Sequence, residues 1–211
     1  MLIKTLPVGQ LQTNCYIVTD EDTLECAVID PGDESNTILD YIESNNLKCT
    51  TIMLTHGHFD HVGAVEAVLE ETGAVLYINP RDEGYEVGMS GMKYKMPQGG
   101  RYYDEGDIIK VGGMRFGVIA TPGHTPGSVS LLCGDDKSEK DVLFTGDTLF
   151  KGSCGRTDMP GGGFRSELHS LKKLCQLPGD YEVYPGHMDS TTLERERRFN
   201  HYCREAMTIN C

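Results

Sequence analysis

Residues 50–61 read Thr50-Thr51-Ile52-Met53-Leu54-Thr55-His56-Gly57-His58-Phe59-Asp60-His61, and this stretch decides the fold. The β-branched, apolar run over 50–55 predicts a buried strand. It ends abruptly in three imidazoles and a carboxylate within six residues. Gly57 permits a sharp bend, so a loop there can aim His56 and His58 the same way. Asp60 and His61, at the start of a helix expected over 62–72, then face a neighbouring position. A single loop histidine is ordinarily just solvated. A His-x-His-x-Asp-His series behind a buried strand has the chemistry of a metal site instead. Imidazole and carboxylate donors suit zinc, iron or manganese, and no thiolate stands near enough for a cysteine-type structural zinc site.

One short segment cannot close two metal shells, so further ligands should lie at other strand ends. Three segments offer them: Ala120-Thr121-Pro122-Gly123-His124, Phe144-Thr145-Gly146-Asp147 and Tyr184-Pro185-Gly186-His187. Each runs strand, then glycine, then a ligand-type residue. Any one alone is weak, because a lone loop His or Asp is usually solvated. With the first cluster they make a set of candidate ligands: His56, His58, Asp60, His61, His124, Asp147 and His187. That is enough for two divalent ions.

Around these residues, strands are expected over 14–20, 25–30, 50–55 and 74–78, with helices over 34–45 and 62–72. A second half repeats the scheme. A hairpin over 107–111 and 114–120 turns at Gly112-Gly113, strands follow at 128–133, 141–145 and 182–184, and helices at 165–175 and 191–204. Strands lead in each half and the helices are amphipathic. The implied class is α/β, a four-layer αββα sandwich of two mixed sheets packed face to face with helices outside. Residues 84–100 hold five Gly, three Met and little pattern, a long loop that is either filler or a cover over a site. No linker separates domains, so residues 1–211 are expected to form one.

Net charge narrows the partners. At −13 over 211 residues the chain repels phosphate backbones and anionic lipid, which argues against nucleic acid and membrane surfaces. No run is long and apolar enough for a signal peptide or a membrane span. Eight cysteines without a Cys-x-x-Cys pair read as reduced thiols, hence a cytoplasmic protein.

The His-x-His-x-Asp-His series followed in order by His124, Asp147 and His187 resembles the metallo-β-lactamase superfamily over nearly the whole chain. Pro7-Val8-Gly9, Thr13-Asn14-Cys15-Tyr16, Val28-Ile29-Asp30-Pro31-Gly32, Thr145-Gly146-Asp147-Thr148-Leu149-Phe150 and Gly155-Arg156-Thr157-Asp158 look like its glyoxalase II branch. The resemblance implies the metallo-β-lactamase fold and two divalent ions, zinc in the first place, with iron or manganese as alternatives. It assigns His56, His58 and His124 to one ion, Asp60, His61 and His187 to the other, and Asp147 to both. It further implies hydrolysis of a small-molecule thioester, such as S-hydroxyacyl-glutathione, by a hydroxide bridging the ions, with Asp60 orienting it as the catalytic carboxylate. Residues 188–211 are too few for the C-terminal helical domain with which full-length members hold the thiol moiety. The chain is similar to the shorter, single-domain members instead, and a carrier thiol other than glutathione is open.

Other residues read two ways. Asp30, before Pro-Gly, fixes a ligand histidine from behind or is a simple turn residue. Arg156 anchors its glycine-rich loop or touches an anionic substrate. Cys154 reads as a small packing residue, and His169 and His201 as surface residues. A rival reaction class is also implied, since persulfide dioxygenases share Gly152-Ser153-Cys154-Gly155-Arg156-Thr157-Asp158 and hold a single iron with residues matching His56, His124 and Asp147. A metal-holding scaffold would need a missing ligand, and none is missing. An RNA-processing nuclease is disfavoured by the acidic charge, and a β-lactam hydrolase by the aspartate at position 147 and the lack of a signal peptide.

Overall fold

The computed structural model describes residues 1–84, 93–135 and 141–209. β1 (Leu2–Val8), β2 (Thr13–Thr19), β3 (Glu25–Ile29), β4 (Lys48–Met53), β5 (Val75–Ile78) and β6 (Arg101–Tyr102) form one sheet in that order. The first three strands are antiparallel and the rest join in parallel. A parallel step needs a crossover, supplied by α1 (Ser35–Ser44) before β4, then by α2 (Phe59–Val62) and α3 (Val65–Thr72) before β5. The second sheet begins with β7 (Ile108–Val111), β8 (Met114–Ala120), β9 (Val129–Asp135) and β10 (Val142–Gly146). A short hairpin, β11 (Leu149–Phe150) and β12 (Ser153–Cys154), leads to α4 (Phe164–Cys175). β13 (Glu182–Pro185) then returns parallel to β10, followed by β14 (Thr191–Thr192), α5 (Leu193–Phe199) and α6 (His201–Ala206).

Period-two alternation sorts the side chains into three apolar layers. On β2 and β3, Cys15, Ile17, Cys26 and Val28 face outward onto Ile38, Ile42, Val65 and Val68 of α1 and α3. Their neighbours Tyr16, Val18, Ala27 and Ile29 face inward onto Phe116, Val118, Leu131 and Phe144 of the second sheet. On the far side Leu143 and Val183 meet Leu168, Leu171, Leu174, Leu193 and Cys203 of α4, α5 and α6. Helix, sheet, sheet and helix therefore stack as expected. Among the described residues no helix is long and apolar enough to cross a membrane.

Several expected boundaries move for long-range reasons. The single helix over 62–72 is two helices, because the 31–32 turn packs against the break. Ala64 N–H donates to Pro31 O at 3.0 Å, and a Cβ on Gly63 would lie 2.3 Å from Gly32 O. The terminal helix over 191–204 is also divided. Asn200 accepts from Tyr202 and Cys203 amides to cap α6 while its amide donates to Phe150 O and Ser153 O, 3.3 and 2.9 Å away. Strand β1, unannounced by any clean alternation, is an edge strand, a position that tolerates Pro7. Of the long loop, 85–92 lie outside the described residues, while Tyr94 and Met96 pack against the outer layer of the first sheet.

Leu131 is fully buried between the sheets. Leu131→Ala should lower the unfolding free energy by about 2–5 kcal/mol, measured by urea denaturation.

Candidate metal centre

All seven candidate ligands converge where the strand ends of both sheets meet. Three groups of ligand atoms each lie within 4.8 Å of one another: His56, His58 and His124; His56, His61 and Asp147; and Asp60, His61 and His187. Asp147 stands between the outer two. Its Oδ1 is 3.5 Å from His61 Nε2, while its Oδ2 is 3.4 Å from His124 Nε2 and 3.5 Å from His187 Nε2. Glycine allows this crowding, because a Cβ on Gly186 would sit 2.2 Å from Asp147 Oδ1 and 2.8 Å from His61 Cε1. His56 and His61 are fully buried, but the side chains of His187 and Asp60 keep 21% and 14% exposure. The centre therefore opens to solvent on the Asp60–His187 side.

Hydrogen bonds behind the ring nitrogens fix their tautomers. Asp30 Oδ1 accepts from Thr55 N at 2.7 Å, and its Oδ2 accepts from Thr55 Oγ1 at 2.6 Å and from His61 Nδ1 at 2.9 Å. Since the Thr55 hydroxyl donates to Asp30, it can only accept from His56 Nδ1, 3.1 Å away. The Arg156 carbonyl likewise accepts from His124 Nδ1 at 2.7 Å. His56 and His124 therefore present Nε2 lone pairs to the centre, and Asp30 bonds the rear nitrogen of His61, a candidate ligand. Arg156 reaches the site through its backbone only. Its guanidinium pairs with Asp158, two residues on, at 2.8 and 2.9 Å in solvent, and among the described residues it makes no hydrogen bond or ion pair with a candidate ligand's side chain.

The donor set fits a divalent cation. His56 Nε2, His61 Nε2 and Asp147 Oδ1 are buried with no hydrogen-bond partner, a condition that buried polar atoms otherwise avoid. His58 Nδ1 and His124 Nε2 point at one spot, 2.8 Å apart. Burial, reinforced by the neighbouring imidazoles, pushes His56 well below the usual histidine range and His58 down to about 4, which leaves both neutral. Burial opposes charge on His61 too, yet Asp147, Asp30 and Asp60 raise it to about 9. Asp60 is held well below the carboxylate range against burial by His187, His61 and the Thr13 hydroxyl, which donates at 2.9 Å.

Two supports escaped the sequence reading. Asn14 Nδ2 donates to Pro185 O and Met188 O at 3.0 and 2.8 Å, and Tyr16 Oη to Pro185 O at 2.6 Å, so β2 holds the His187 loop. Asp82, fully buried, accepts from the Gly57 amide. Of the remaining candidates, Cys154 packs against the α4–α6 layer, with its thiol pushed up to about 12 chiefly by burial, as a packing residue requires. His201 is exposed, and His169 lines a shallow surface groove.

The His61 proton supplies, among Asp147, Asp30 and Asp60, the positive charge that an ion would bring. Loading should release it, so affinity should rise with pH up to about 9, and calorimetry in buffers of different ionisation enthalpy reads the proton count. Asp30→Asn should weaken metal binding by about 10–100-fold in a chelator competition, whereas Arg156→Ala should leave it unchanged.

Comparison with known proteins gives the family. The hydroxyacylglutathione hydrolase GloC of Haemophilus influenzae is 34% identical over 95% of this chain and 97% of its own length. The crystal structure of BLEG-1 B3 metallo-beta-lactamase has a TM-score of 0.84 at 32% identity, covering 96% of this chain and 99% of that one. A protein crystallised in a di-iron-bound form superposes with a TM-score of 0.78 at 36% identity, covering 94% of this chain and 99% of its own. The sequence profile of the metallo-beta-lactamase superfamily matches residues 8–187, which include all seven candidate ligands. The chain belongs to the metallo-beta-lactamase superfamily.

Proposed function

We propose that this protein is a binuclear metal-dependent hydrolase of small-molecule thioesters. One observation carries the reading: Asp147 Oδ2 lies between two ligand groups, 3.4 Å from His124 Nε2 and 3.5 Å from His187 Nε2, in a centre that opens to solvent beside Asp60. His56, His58 and His124 would hold one ion, and Asp60, His61 and His187 the other, with Asp147 serving both. Two divalent ions bound there would lower the pKa of water and polarise a carbonyl oxygen. Zinc, iron and manganese all suit these donors, and the di-iron relative keeps iron in contention.

The chain's own residues do the rest. Asp60, ionised and steadied by Thr13, can accept a hydrogen bond from a water at the solvent-facing side and so aim its lone pair. Neutral His56 and His58 donate lone pairs without first losing a proton. A cleft of about 550 Å³ bordered by Leu11, Gly32, Phe59 and Asp60 adjoins the centre, a size that suits a small molecule. Leu11 and Phe59 are both about half exposed there and offer apolar surface to an acyl chain. The thioester preference draws on the hydroxyacylglutathione hydrolase relative. Neither nucleic acid nor membrane is a partner in this reading, in keeping with the net charge of −13. The free thiols of all seven described cysteines support a cytoplasmic setting.

Protein purified without added metal should hydrolyse S-lactoyl-glutathione or a thioester of another small thiol in oxygen-free buffer, and lose the activity to a chelator. Asp60→Ala should lower kcat by about 10²–10⁴-fold and reduce bound metal as well. Oxygen uptake with glutathione persulfide, one iron per chain and no thioester cleavage would overturn the reading in favour of a dioxygenase.

A further inference from the structure

We propose that Asp82 is a positioning residue for the three-histidine metal position, acting on that position and not on the one formed by Asp60, His61 and His187. The proposal rests on the binuclear reading above. Asp82 closes the short 3₁₀ turn Pro80–Asp82 after β5, where Asn79 caps the turn by accepting from Arg81 N at 3.0 Å. Its carboxylate is sealed from solvent and fully engaged. Oδ2 accepts from Gly57 N at 2.9 Å and from Thr125 Oγ1 at 2.8 Å, and Oδ1 accepts from Gly127 N at 2.6 Å.

Those three donors lie on the two loops that matter. Gly57 separates His56 from His58, and Thr125 follows His124. One carboxylate thus ties both loops at fixed spacing, although its side chain touches no candidate ligand's donor atom. Gly127 is shaped to the same contact, since a Cβ there would sit 2.5 Å from Asp82 Oδ1. The other position leans on different groups: Thr13 on Asp60, Asp30 on His61, and Asn14 with Tyr16 on the His187 loop. None of these contacts involves Asp82. Asp30 serves both positions, His61 directly and His56 through Thr55, whereas Asp82 engages only the loops of the three-histidine position, so loosening Asp82 leaves the supports of the other position in place.

Asp82→Asn preserves size but not chemistry. Whichever way the amide turns, its NH₂ faces a backbone N–H, that of Gly57 or that of Gly127. Chelator-stripped wild type and variant would be titrated with zinc against a chromophoric chelator. One of the two dissociation constants should weaken by about 10–100-fold in the variant, with the other unchanged. At one equivalent of zinc, anomalous diffraction should place the ion at Asp60, His61 and His187. Asn14→Ala should do the reverse. Should Asp82→Asn fail to fold, judged by thermal unfolding of the stripped protein, Thr125→Ala keeps both backbone bonds and should weaken the same constant less.

Equal weakening of both constants, no weakening of either, or loss of the ion from the Asp60 side would overturn the proposal. Wild-type protein that takes up fewer than two ions overturns the binuclear reading instead, a result visible before any variant is made. A single wild-type ion at the three histidines still submits Asp82 to the same loss-of-affinity criterion.

Discussion

The Asp30 carboxylate holds Thr55 N, Thr55 Oγ1 and His61 Nδ1 at 2.7, 2.6 and 2.9 Å, and the centre is built outward from that three-way contact. A buried carboxylate without partners costs several kcal/mol or gives up its charge, so the end of β3, the end of β4 and helix α2 are obliged to meet around it. Asp30 reaches the contact with φ +51°, a left-handed conformation that aspartate tolerates better than most residues. Through Thr55 the same carboxylate sets the tautomer of His56, which makes it a partner to one histidine directly and to another by relay.

The second sheet brings the remaining candidate ligands to the same edge, and aromatic packing fixes its distance. Tyr16 of β2 lies 5.1 Å from Phe144 and 5.6 Å from Tyr184, ring centre to ring centre, while its hydroxyl bonds Pro185 O. Phe144 precedes the Asp147 turn by three positions, and Tyr184 precedes His187 by three. The apolar body of one tyrosine and its polar tip therefore align both turns with the first sheet. Inter-sheet packing and ligand placement are one event.

Much of this is legible in the amino-acid order, for identifiable reasons. The His-x-His-x-Asp-His series is local, so its chemistry shows within one window. His124, Asp147 and His187 each follow a strand and a glycine, a local signature repeated often enough to add up. The short apolar runs of β2, β3 and β10 are likewise local and mark buried strands, although both faces are covered and the runs do not say which residue faces which layer. Asp82 is different. Asn79-Pro80-Arg81-Asp82 looks like any polar turn, and its meaning comes from partners at 57, 125 and 127. The helix break after Val62 depends on the 31–32 turn and the one at Asn200 on the β11–β12 hairpin, both invisible to helical periodicity. Arg156 shows the opposite error, a charged side chain drawing attention when the backbone carbonyl makes the contact.

Ligands on both sheets give a bound ion a second role. The loops carrying His56, His124, Asp147 and His187 are far apart in the chain, so an ion that grips them closes large loops, which an unfolded chain would have to give up. Such an ion would bind the folded state more tightly than the unfolded chain and so shift the folding equilibrium by mass action. It would act as a reversible cross-link, comparable in topology to a set of disulfides. For a chain whose described cysteines are all free thiols, coordination would supply the fastening that sulfur leaves undone.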